Sequence, residues 1–421
     1  MARFTRRTFA VAAAGALATT GLSGSAAAGA PTALGDPLGG TGRRELRGMW
    51  VASVANTNWP SAPGLSPAEQ RQELLDLLDL AVERRLNTVM LQVRPTADAF
   101  WPSPYEPWSR YLTGTQGRDP GWDPLGTAVR EAHRRGLELH AWFNPYRVAL
   151  TADPSTLAPT HPARLHPEWV VAYGGKLYYN PGLPEVRRFV QDAMLDAVRR
   201  YPIDAVHWDD YFYPYPVAGQ SFQDDDAWAR YGAGFPDRDA WRRHNTDLLV
   251  QETAARIRQV RPGTRFGISP FAVWRNAATD PLGSATAAGV QTYDDLHADT
   301  RMWVRAEWID YIVPQVYWSA QPLDQQVPAN YAVLVPWWAD VVSGTRVQLY
   351  IGEALYKVGA AGQPAAWQDP RELLRHLDLC AEYPEVRGNV YFSASQVRAD
   401  PLGAMTLIQD RYAQRGGQWT R

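Results

Sequence analysis

The chain has 421 residues and a formal net charge of −2 at pH 7, so it lacks the excess of basic residues that a nucleic-acid-binding surface requires. Hydrophobic residues make up 45% of the sequence and charged residues 20%, a balance typical of globular proteins, which excludes a chain that is disordered throughout. Cys380 is the only cysteine, which excludes an intrachain disulfide and a cysteine-based metal site.

The first 30 residues have the pattern of an export signal. Arg6 and Arg7 precede an apolar run over residues 10–22, and alanines follow at residues 26–28. This pattern predicts a twin-arginine signal peptide over residues 1–30, because the run is too short to favour a transmembrane helix. No later apolar segment is long enough to cross a membrane, so we expect a secreted or cell-envelope-associated protein. We further expect a flexible linker over residues 31–43, one domain over 44–415 and a tail over 416–421.

Beyond residue 45, a short apolar run rich in β-branched and aromatic residues recurs eight times, and each run is followed by a loop. These runs predict strands at residues 47–53, 88–95, 137–146, 205–211, 265–271, 311–318, 347–355 and 389–395. Between and after them, apolar residues at helical spacing predict helices at residues 67–86, 184–200, 238–260, 370–383 and 401–413. Ser66-Pro67 and Asp123-Pro124 are typical helix starts, because the first residue can cap the helix and proline fits its first turn.

The alternation of eight strands with helices predicts an α/β fold, namely a single (β/α)8 TIM barrel with long strand-to-helix loops. Connections from helix to strand are short, as at residues 135–137, whereas connections from strand to helix are long, as at residues 148–183. Barrel enzymes carry their functional residues in the long connections. An open doubly wound sheet is disfavoured, because the sequence contains neither a G-x-G-x-x-G motif nor a P-loop.

The main candidate for a functional site is the pair Asp209 and Asp210, at the end of the fourth predicted strand and beside several aromatic residues. Side chains alternate between the faces of a strand, but at a strand end the alternation can break, so both carboxylates can reach one cleft. Close carboxylates rarely share one pKa, and this difference suits acid/base chemistry. The alternative interpretation of the pair is an acidic loop in solvent.

Aromatic, amide and arginine side chains accompany the pair near the predicted strand ends. The chain contains 18 Trp and 20 Tyr, and such rings pack against the apolar faces of sugars, while Arg and amide groups bond to their polar substituents. We therefore predict a glycan-binding cleft that includes Trp50, Arg94, Trp142, Asn144, Tyr146, Arg147, His207, Tyr211, Trp274, Asn276, Gln315 and Trp318. The histidines show no metal-binding spacing, so we expect neither a metal nor a cofactor.

Several segments, in order along the chain, resemble the glycosyl hydrolase-like 10 family of exported bacterial proteins. They are RGMWVA at residues 47–52, NWP at 58–60, HWDDYFYP at 207–214, GISPF at 267–271, WRN at 274–276 and DYIVPQVYW at 310–318. The resemblance extends over about residues 43–415. It implies a barrel of glycoside-hydrolase type that acts on bacterial cell-envelope glycans such as peptidoglycan strands.

Most glycosidases place two acids on opposite sides of the bond, roughly 5–10 Å apart. The adjacent Asp209 and Asp210 cannot easily lie on opposite sides of a sugar, so two mechanisms are open for the pair. In the first, the 2-acetamido group of the substrate is the nucleophile. The pair is similar to the adjacent Asp-Asp of family 84 hexosaminidases, which implies that Asp209 orients the amide and Asp210 is the acid/base. Similarity to family 18 chitinases implies that Tyr317 binds the oxygen of the cyclised intermediate. In the second, one aspartate works with the distant Glu353 on the seventh strand. A non-catalytic glycan-binding barrel is a further alternative.

Overall fold

The computed structural model describes residues 45–320 and 329–414. The predicted signal peptide over residues 1–30, the linker over 31–43 and the tail over 416–421 lie outside the described residues, so these boundaries stay predictions. Within the two described ranges, no helix combines the length and the apolar character needed to cross a membrane.

Eight parallel strands form a closed barrel, which confirms the predicted (β/α)8 fold. The described strands are β1 (Leu46–Val51), β2 (Thr88–Arg94), β3 (Glu138–Phe143), β4 (Arg147–Ala149), β5 (Val170–Tyr173), β6 (Lys176–Tyr179), β7 (Ala205–Trp208), β8 (Arg265–Ile268), β9 (Tyr311–Ile312), β10 (Gln348–Glu353) and β11 (Val386–Tyr391). Around the barrel the order is β1, β2, β3, β7, β8, β9, β10 and β11, and β1 closes it by pairing with β11.

At least one helix follows each barrel strand along the described chain. The helices are α1 (Pro67–Glu83), α2 (Arg110–Thr113), α3 (Pro124–Arg134), α4 (Pro162–Leu165), α5 (Pro184–Arg200), α6 (Asp225–Tyr231), α7 (Arg238–Val260), α8 (Thr292–Asp295), α9 (Thr300–Arg305), α10 (Tyr331–Val342), α11 (Glu372–Ala381), α12 (Ala394–Ala399) and α13 (Ala404–Gln414). Helix α1 begins with a capping box, in which Ser66 and Glu69 each accept a hydrogen bond from the other's backbone N–H. Its buried stripe includes Leu74, Leu78 and Ala81.

Side chains along the barrel strands alternate between two cores. Trp50, Met90 and Tyr311, from three different strands, pack together inside the barrel. Their neighbours Met49 and Val89 belong to the larger core outside it, between the strands and the helices. This alternation decides which residues at the strand ends can face the mouth of the barrel.

Four differences between the structure and the predicted elements have a clear physical cause or introduce a new element. Strand β7 ends at Trp208 rather than at residue 211, because Asp209 accepts a hydrogen bond from the backbone N–H of Tyr211 at 3.3 Å and the chain turns there. Strand β9 has only two residues, since Pro314 cannot donate to a strand ladder. A three-stranded antiparallel sheet of β4, β6 and β5 occupies the connection after β3, which was predicted to be a loop. Helix α10 was not predicted and contains Pro336.

Candidate active site

A cavity of about 250 Å³ lies at the carboxyl ends of the barrel strands. Its volume is near the lower end of ligand pockets, which begins at about 300 Å³, and it suits a group of the size of one sugar ring. The lining combines carboxyl, amide and guanidinium groups with aromatic rings and consists of Trp50, Ala52, Val54, Thr57, Gln92, Trp142, Arg147, Asp209, Asp210, Tyr211, Ser269, Gln315, Tyr317, Tyr356 and Phe392. Across residues 45–320 and 329–414, no cluster of three or more His, Cys, Asp or Glu side chains is placed to hold a metal ion.

Asp209 and Asp210 both line this cavity although they are adjacent in the chain. Asp209 is two residues beyond His207, whose ring lies inside the barrel, so the strand alternation directs Asp209 inward. Asp210 would face the helices in a continued strand, but β7 ends at Trp208 and the chain turns. Their side chains are buried, with residue exposures of 4% and 8%.

The carboxyl group of Asp209 is held from two sides. Asn144 Nδ2 donates a hydrogen bond to Asp209 Oδ2, and the backbone N–H of Tyr211 donates to Oδ1 at 3.3 Å. Burial raises the pKa of Asp209 to about 7, and the charge of Asp210 adds to the rise, whereas Arg147 and Asn144 oppose it. Asp209 can therefore hold or release a proton near neutral pH.

Asp210 has its own pair of donors. The Tyr215 hydroxyl donates to Oδ2, and Gln315 Nε2 donates to Oδ1 at 3.1 Å. Burial raises the pKa of Asp210, and the bonds from Tyr215 and Gln315 limit the rise. Because the two buried carboxyls repel each other when both are ionised, they retain one proton between them over a range of pH. One protonated and one ionised carboxyl is the state that acid/base catalysis requires.

A network of amide groups fixes the donor that reaches Asp209. Asn144 Oδ1 accepts hydrogen bonds from Gln92 Nε2 at 2.5 Å and from Arg147 Nη2 at 3.0 Å, which leaves Nδ2 directed at Asp209. Gln92 Oε1 accepts in turn from the backbone N–H of Ser53 at 2.9 Å. These hydrogen bonds join the ends of β1, β2 and β3 to the carboxylate of Asp209, which directly follows β7.

A chain of hydrogen bonds continues down the barrel interior beneath the cavity. Trp50 Nε1 donates to His207 Nε2 at 3.0 Å, and an indole nitrogen can only donate. Neutral His207 therefore carries its proton on Nδ1 and donates to the Tyr311 hydroxyl at 3.1 Å. The Tyr311 hydroxyl also contacts His140 Nδ1 at 3.0 Å, and His140 Nε2 contacts Arg265 Nη2 at 3.1 Å and Glu138 at 3.3 Å. Burial holds the pKa of His207 well below its usual value, so this histidine is not a proton donor to the cavity.

Aromatic rings form the opposite wall of the cavity. The ring centroid of Tyr317 lies 5.7 Å from that of Tyr356 and 6.4 Å from that of Phe392. Lys357 Nζ donates to the backbone oxygen of Tyr317 at 2.7 Å, which holds this segment against the end of β10. Burial holds the pKa of Tyr317 well above its usual value, so its hydroxyl stays protonated and can donate.

The structure brings together Asp209, Asp210 and Tyr317 with five of the predicted substrate-binding residues, namely Trp50, Trp142, Arg147, Tyr211 and Gln315. Asn144 and His207 do not line the cavity, but each supports a residue that does. Trp318 follows β9 at the rim, outside the cavity lining.

Four predicted substrate-binding residues lie elsewhere, in contrast to the prediction. The strand register shifts between Gln92 and Arg94, and Arg94 forms a buried ion pair with Glu106 through Nε at 2.7 Å and Nη2 at 2.5 Å. Tyr146 is fully buried, and its hydroxyl has no hydrogen-bond partner among the described residues. Trp274 and Asn276 stabilise the loop after β8 by donating to Asp299 and to the backbone of Ala288, each at 2.9 Å.

Glu353, the alternative second acid, also lies outside the cavity. Glu353 is three residues beyond the inward-facing Tyr350, so the alternation of the strand turns its side chain outward, between β10 and the helices. Its Oε1 accepts hydrogen bonds from Tyr331 at 2.6 Å and Asn389 at 2.7 Å, and its Oε2 contacts His376 Nδ1 at 2.7 Å. Glu353 is 1% exposed, and a sugar in the cavity cannot reach it.

Sequence reasoning missed several residues of the site, among them Phe392 and Tyr215. Phe392 lines the cavity and is two residues beyond Val390, which faces the barrel interior, so its phase along the last strand could have identified it. Tyr215 donates to Asp210 from a loop five residues further on, and no periodic signal in the sequence indicates this contact.

Comparisons with known proteins identify the family of this chain. The sequence model of the family described as glycosyl hydrolase-like 10 matches residues 45–369. The chain is 50% identical over 373 residues to Glycosyl hydrolase YngK of Bacillus subtilis (strain 168), covering 88% of this chain and 72% of that protein. It is 39% identical over 388 residues to Glycosyl hydrolase DigH of Escherichia coli (strain K12), covering 87% of each.

A solved structure shares the fold. The PgaB (BpsB) glycoside hydrolase domain from Bordetella bronchiseptica aligns with a TM-score of 0.55 at 14% identity, over 86% of this chain and 98% of that one. At this identity the likeness concerns the barrel alone. Since the family model matches most of the described chain and both relatives carry the same enzyme designation, the chain belongs to the glycosyl hydrolase-like 10 family and is a glycoside hydrolase.

Proposed function

We propose that this protein is an exported glycoside hydrolase that cleaves N-acetylhexosamine-containing glycan of the bacterial cell wall, in particular peptidoglycan strands. The bond is cleaved with the acetamido group of the substrate as nucleophile. The observation that carries this proposal is that adjacent carboxyl groups, Asp209 and Asp210, line one cavity of the size of a sugar ring.

The composition of the cavity favours a nucleophile supplied by the substrate. Glycosidases with a protein nucleophile or base hold two carboxyls roughly 5–10 Å apart on opposite sides of the bond. Among the residues that line this cavity, the acids are Asp209 and Asp210, which are neighbours, and Glu353 faces the helices. No lining carboxyl is thus available across the ring, whereas an acetamido oxygen can reach the anomeric carbon from its own sugar.

The two aspartates then have separate roles. Asp210, beside the rim residue Tyr215, protonates the leaving oxygen as the acetamido oxygen attacks the anomeric carbon. Asp209, held deeper by Asn144, accepts the amide N–H and stabilises the positive charge of the cyclic intermediate. Tyr317 donates a hydrogen bond from its hydroxyl to the acetamido oxygen. Water then attacks the anomeric carbon and gives its proton to Asp210, which restores the starting state.

Export is part of the proposal and rests on the sequence of residues 1–30, where Arg6 and Arg7 precede an apolar run and alanines. A cell-wall glycan is accessible only to an exported enzyme, so location and substrate support each other. A fusion of residues 1–30 to a reporter that folds before export should reach the envelope, and replacing both arginines with lysine should abolish this.

The catalytic proposal is tested with a thiazoline analogue of the cyclised sugar and with variants of the pair. We expect strong competitive inhibition by the thiazoline, and a loss of about 10²–10⁴ in kcat for Asp209→Asn and for Asp210→Asn on glycan strands. A substrate with an activated leaving group should restore the first step in Asp210→Asn but not in Asp209→Asn, because only Asp210 protonates the leaving oxygen. Asp226→Asn, an exposed control, should match the wild type. Absence of thiazoline inhibition would refute the acetamido nucleophile.

A further inference from the structure

Four aromatic side chains, here called the aromatic row, lead away from the cavity along the rim of the barrel: Tyr211, Tyr215, Phe271 and Trp318. Successive ring centroids are 5.6, 6.4 and 5.7 Å apart. Tyr211 lines the cavity, and Phe271 and Trp318 follow β8 and β9. The row therefore begins at the site of cleavage and passes the ends of three consecutive barrel strands.

The rings of the aromatic row are all partly exposed, although residues beside them in the chain are buried. Phe212, Ala272 and Ser319 are between 0% and 2% exposed. The local fold could place an aromatic side chain in the core, as it does with Phe212, yet it leaves these four partly exposed. A contiguous set of partly exposed aromatic rings beside a cavity is typical of a binding surface.

The packing of the row fixes the orientation of its rings. Interplanar angles of 63°, 85° and 79° describe edge-to-face contacts, in which each ring is held by its neighbours. The Arg147 guanidinium lies 5.1 Å from the centroid of Tyr211 and holds the first ring. The rings are preorganised, so little side-chain entropy is lost when a ligand packs against them.

One contact relates the row to the chemistry. The Tyr215 hydroxyl donates to Asp210, the residue assigned as the acid. An acid that protonates the leaving oxygen must lie beside the glycosidic bond. The released part of the glycan then begins next to this acid. The aromatic row therefore extends from the acid in the direction of the leaving group.

We propose that the aromatic row binds the leaving-group portion of the glycan over at least two sugars beyond the cleaved bond, so that the enzyme acts within chains rather than on terminal sugars alone. This inference rests on the proposed function. Apolar faces of successive pyranose rings pack against Tyr211, Phe271 and Trp318. This contact requires no charged group on the sugars.

The test compares kcat/KM for a disaccharide and a hexasaccharide of N-acetylhexosamines prepared from glycan strands. For the wild type, the hexasaccharide should be the better substrate. Trp318→Ala should lower kcat/KM about tenfold for the hexasaccharide, equivalent to about 1.4 kcal/mol, and leave the disaccharide unchanged, because only the longer chain reaches the end of the row. Trp318→Phe should recover most of the loss. Tyr231→Ala, a partly exposed aromatic control at the end of α6, should behave as the wild type.

Oligosaccharide binding, measured with protein that carries Asp210→Asn, separates this inference from the proposed function. The Trp318→Ala substitution should weaken hexasaccharide binding about tenfold and spare disaccharide binding, even if the assignment of the catalytic residues fails. Equal effects on both ligands, or no effect on either, would overturn the role of the row while leaving hydrolysis by the pair intact. Thermal unfolding of each variant identifies any loss that comes from misfolding.

Discussion

Arg147 is the positively charged side chain in the lining of the cavity, and it acts on both carboxyls. Burial raises the pKa of Asp209 to about 7, and Arg147 limits that rise. Burial also raises the pKa of Asp210, with Arg147 again opposing it. A nearby cation favours the ionised form of a carboxyl, so removing it must move both pKa values upward. Arg147 thus shifts to lower pH the range in which one carboxyl is protonated and the other ionised.

Replacing Arg147 with methionine should shift the pH profile of kcat/KM to higher pH, on both its acidic and its alkaline limbs. The alkaline limb reports loss of the last proton of the coupled pair, so it follows the raised pKa values of Asp209 and Asp210 together. Arg147→Lys keeps the charge and should leave the limbs near their wild-type positions. A profile that moves equally in both variants would show that packing, and not charge, is responsible.

For individual residues, the sequence predicted the carboxylate pair but not the direction in which every polar side chain near a strand end points. Asp209 and Asp210 could be identified because a strand followed directly by two acids is visible in the sequence. Arg94 and Glu353 are near strand ends as well, but a register shift turns Arg94 toward Glu106, and strand phase turns Glu353 toward the helices. Both outcomes depend on pairing with other strands, which the local sequence does not reveal.

At the scale of elements, Glu353 joins three parts of the barrel wall. It lies at the end of β10 and contacts Tyr331 of α10 and His376 of α11. His376 also lies 3.4 Å from a carboxylate oxygen of Glu372 and stacks on Tyr331 with centroids 3.6 Å apart. Burial by itself would lower the pKa of His376, but the two carboxylates outweigh it and raise the pKa. The imidazolium neutralises buried negative charge between a strand and two helices.

Removing this imidazolium should destabilise the fold in a pH-dependent way. His376→Leu leaves two carboxylates without their shared cation and should lower the free energy of unfolding by about 3–5 kcal/mol. A histidine whose pKa is raised in the folded state stabilises fully below its unfolded pKa of 6.5, and this contribution is lost as the pH rises through the folded value. Urea unfolding should therefore show a larger difference between wild type and variant at pH 6 than at pH 9. A difference that grows with pH would contradict a charged His376.

Strand lengths and inserted elements were less predictable than strand positions. The eight apolar runs lie where the barrel strands are found, because burial on both faces leaves a strong apolar signal. Strand β9 is cut to two residues by its proline, and the antiparallel sheet of β4, β5 and β6 depends on pairing within a long connection. The aromatic-rich sequence after β7 contains no pattern that predicts the hydrogen bond from the Tyr215 hydroxyl to Asp210.

For the whole molecule, closure of the barrel depends on the contact between β1 and β11. Gly388 in β11 has φ of +145°, and a Cβ atom built there would lie 1.9 Å from the backbone oxygen of Leu46. Leu46 and Gly388 are register partners across this contact. Glycine is required because only a residue without a side chain allows the first and last strands to pair.

Gly388→Ala should lower the free energy of unfolding by about 3 kcal/mol or more, through the close contact and the unfavourable φ. Gly263→Ala is the matched control, since a Cβ atom there meets no other atom within 4 Å. Its effect should remain within about 0.5 kcal/mol. Chemical denaturation followed by tryptophan fluorescence measures both, and equal stability of the two variants would contradict the importance of the closing contact.

The point at which β7 ends restricts how such chains can diverge. One residue inserted between Ala205 and His207 would reverse the phase of the strand beyond it, so that His207 would face the helices and Trp50 would lose its acceptor. The loop over residues 150–161, between β4 and α4, carries no such restriction, because it contains no strand. We therefore expect that an insertion in this loop leaves the barrel intact, whereas an insertion in β7 disrupts it.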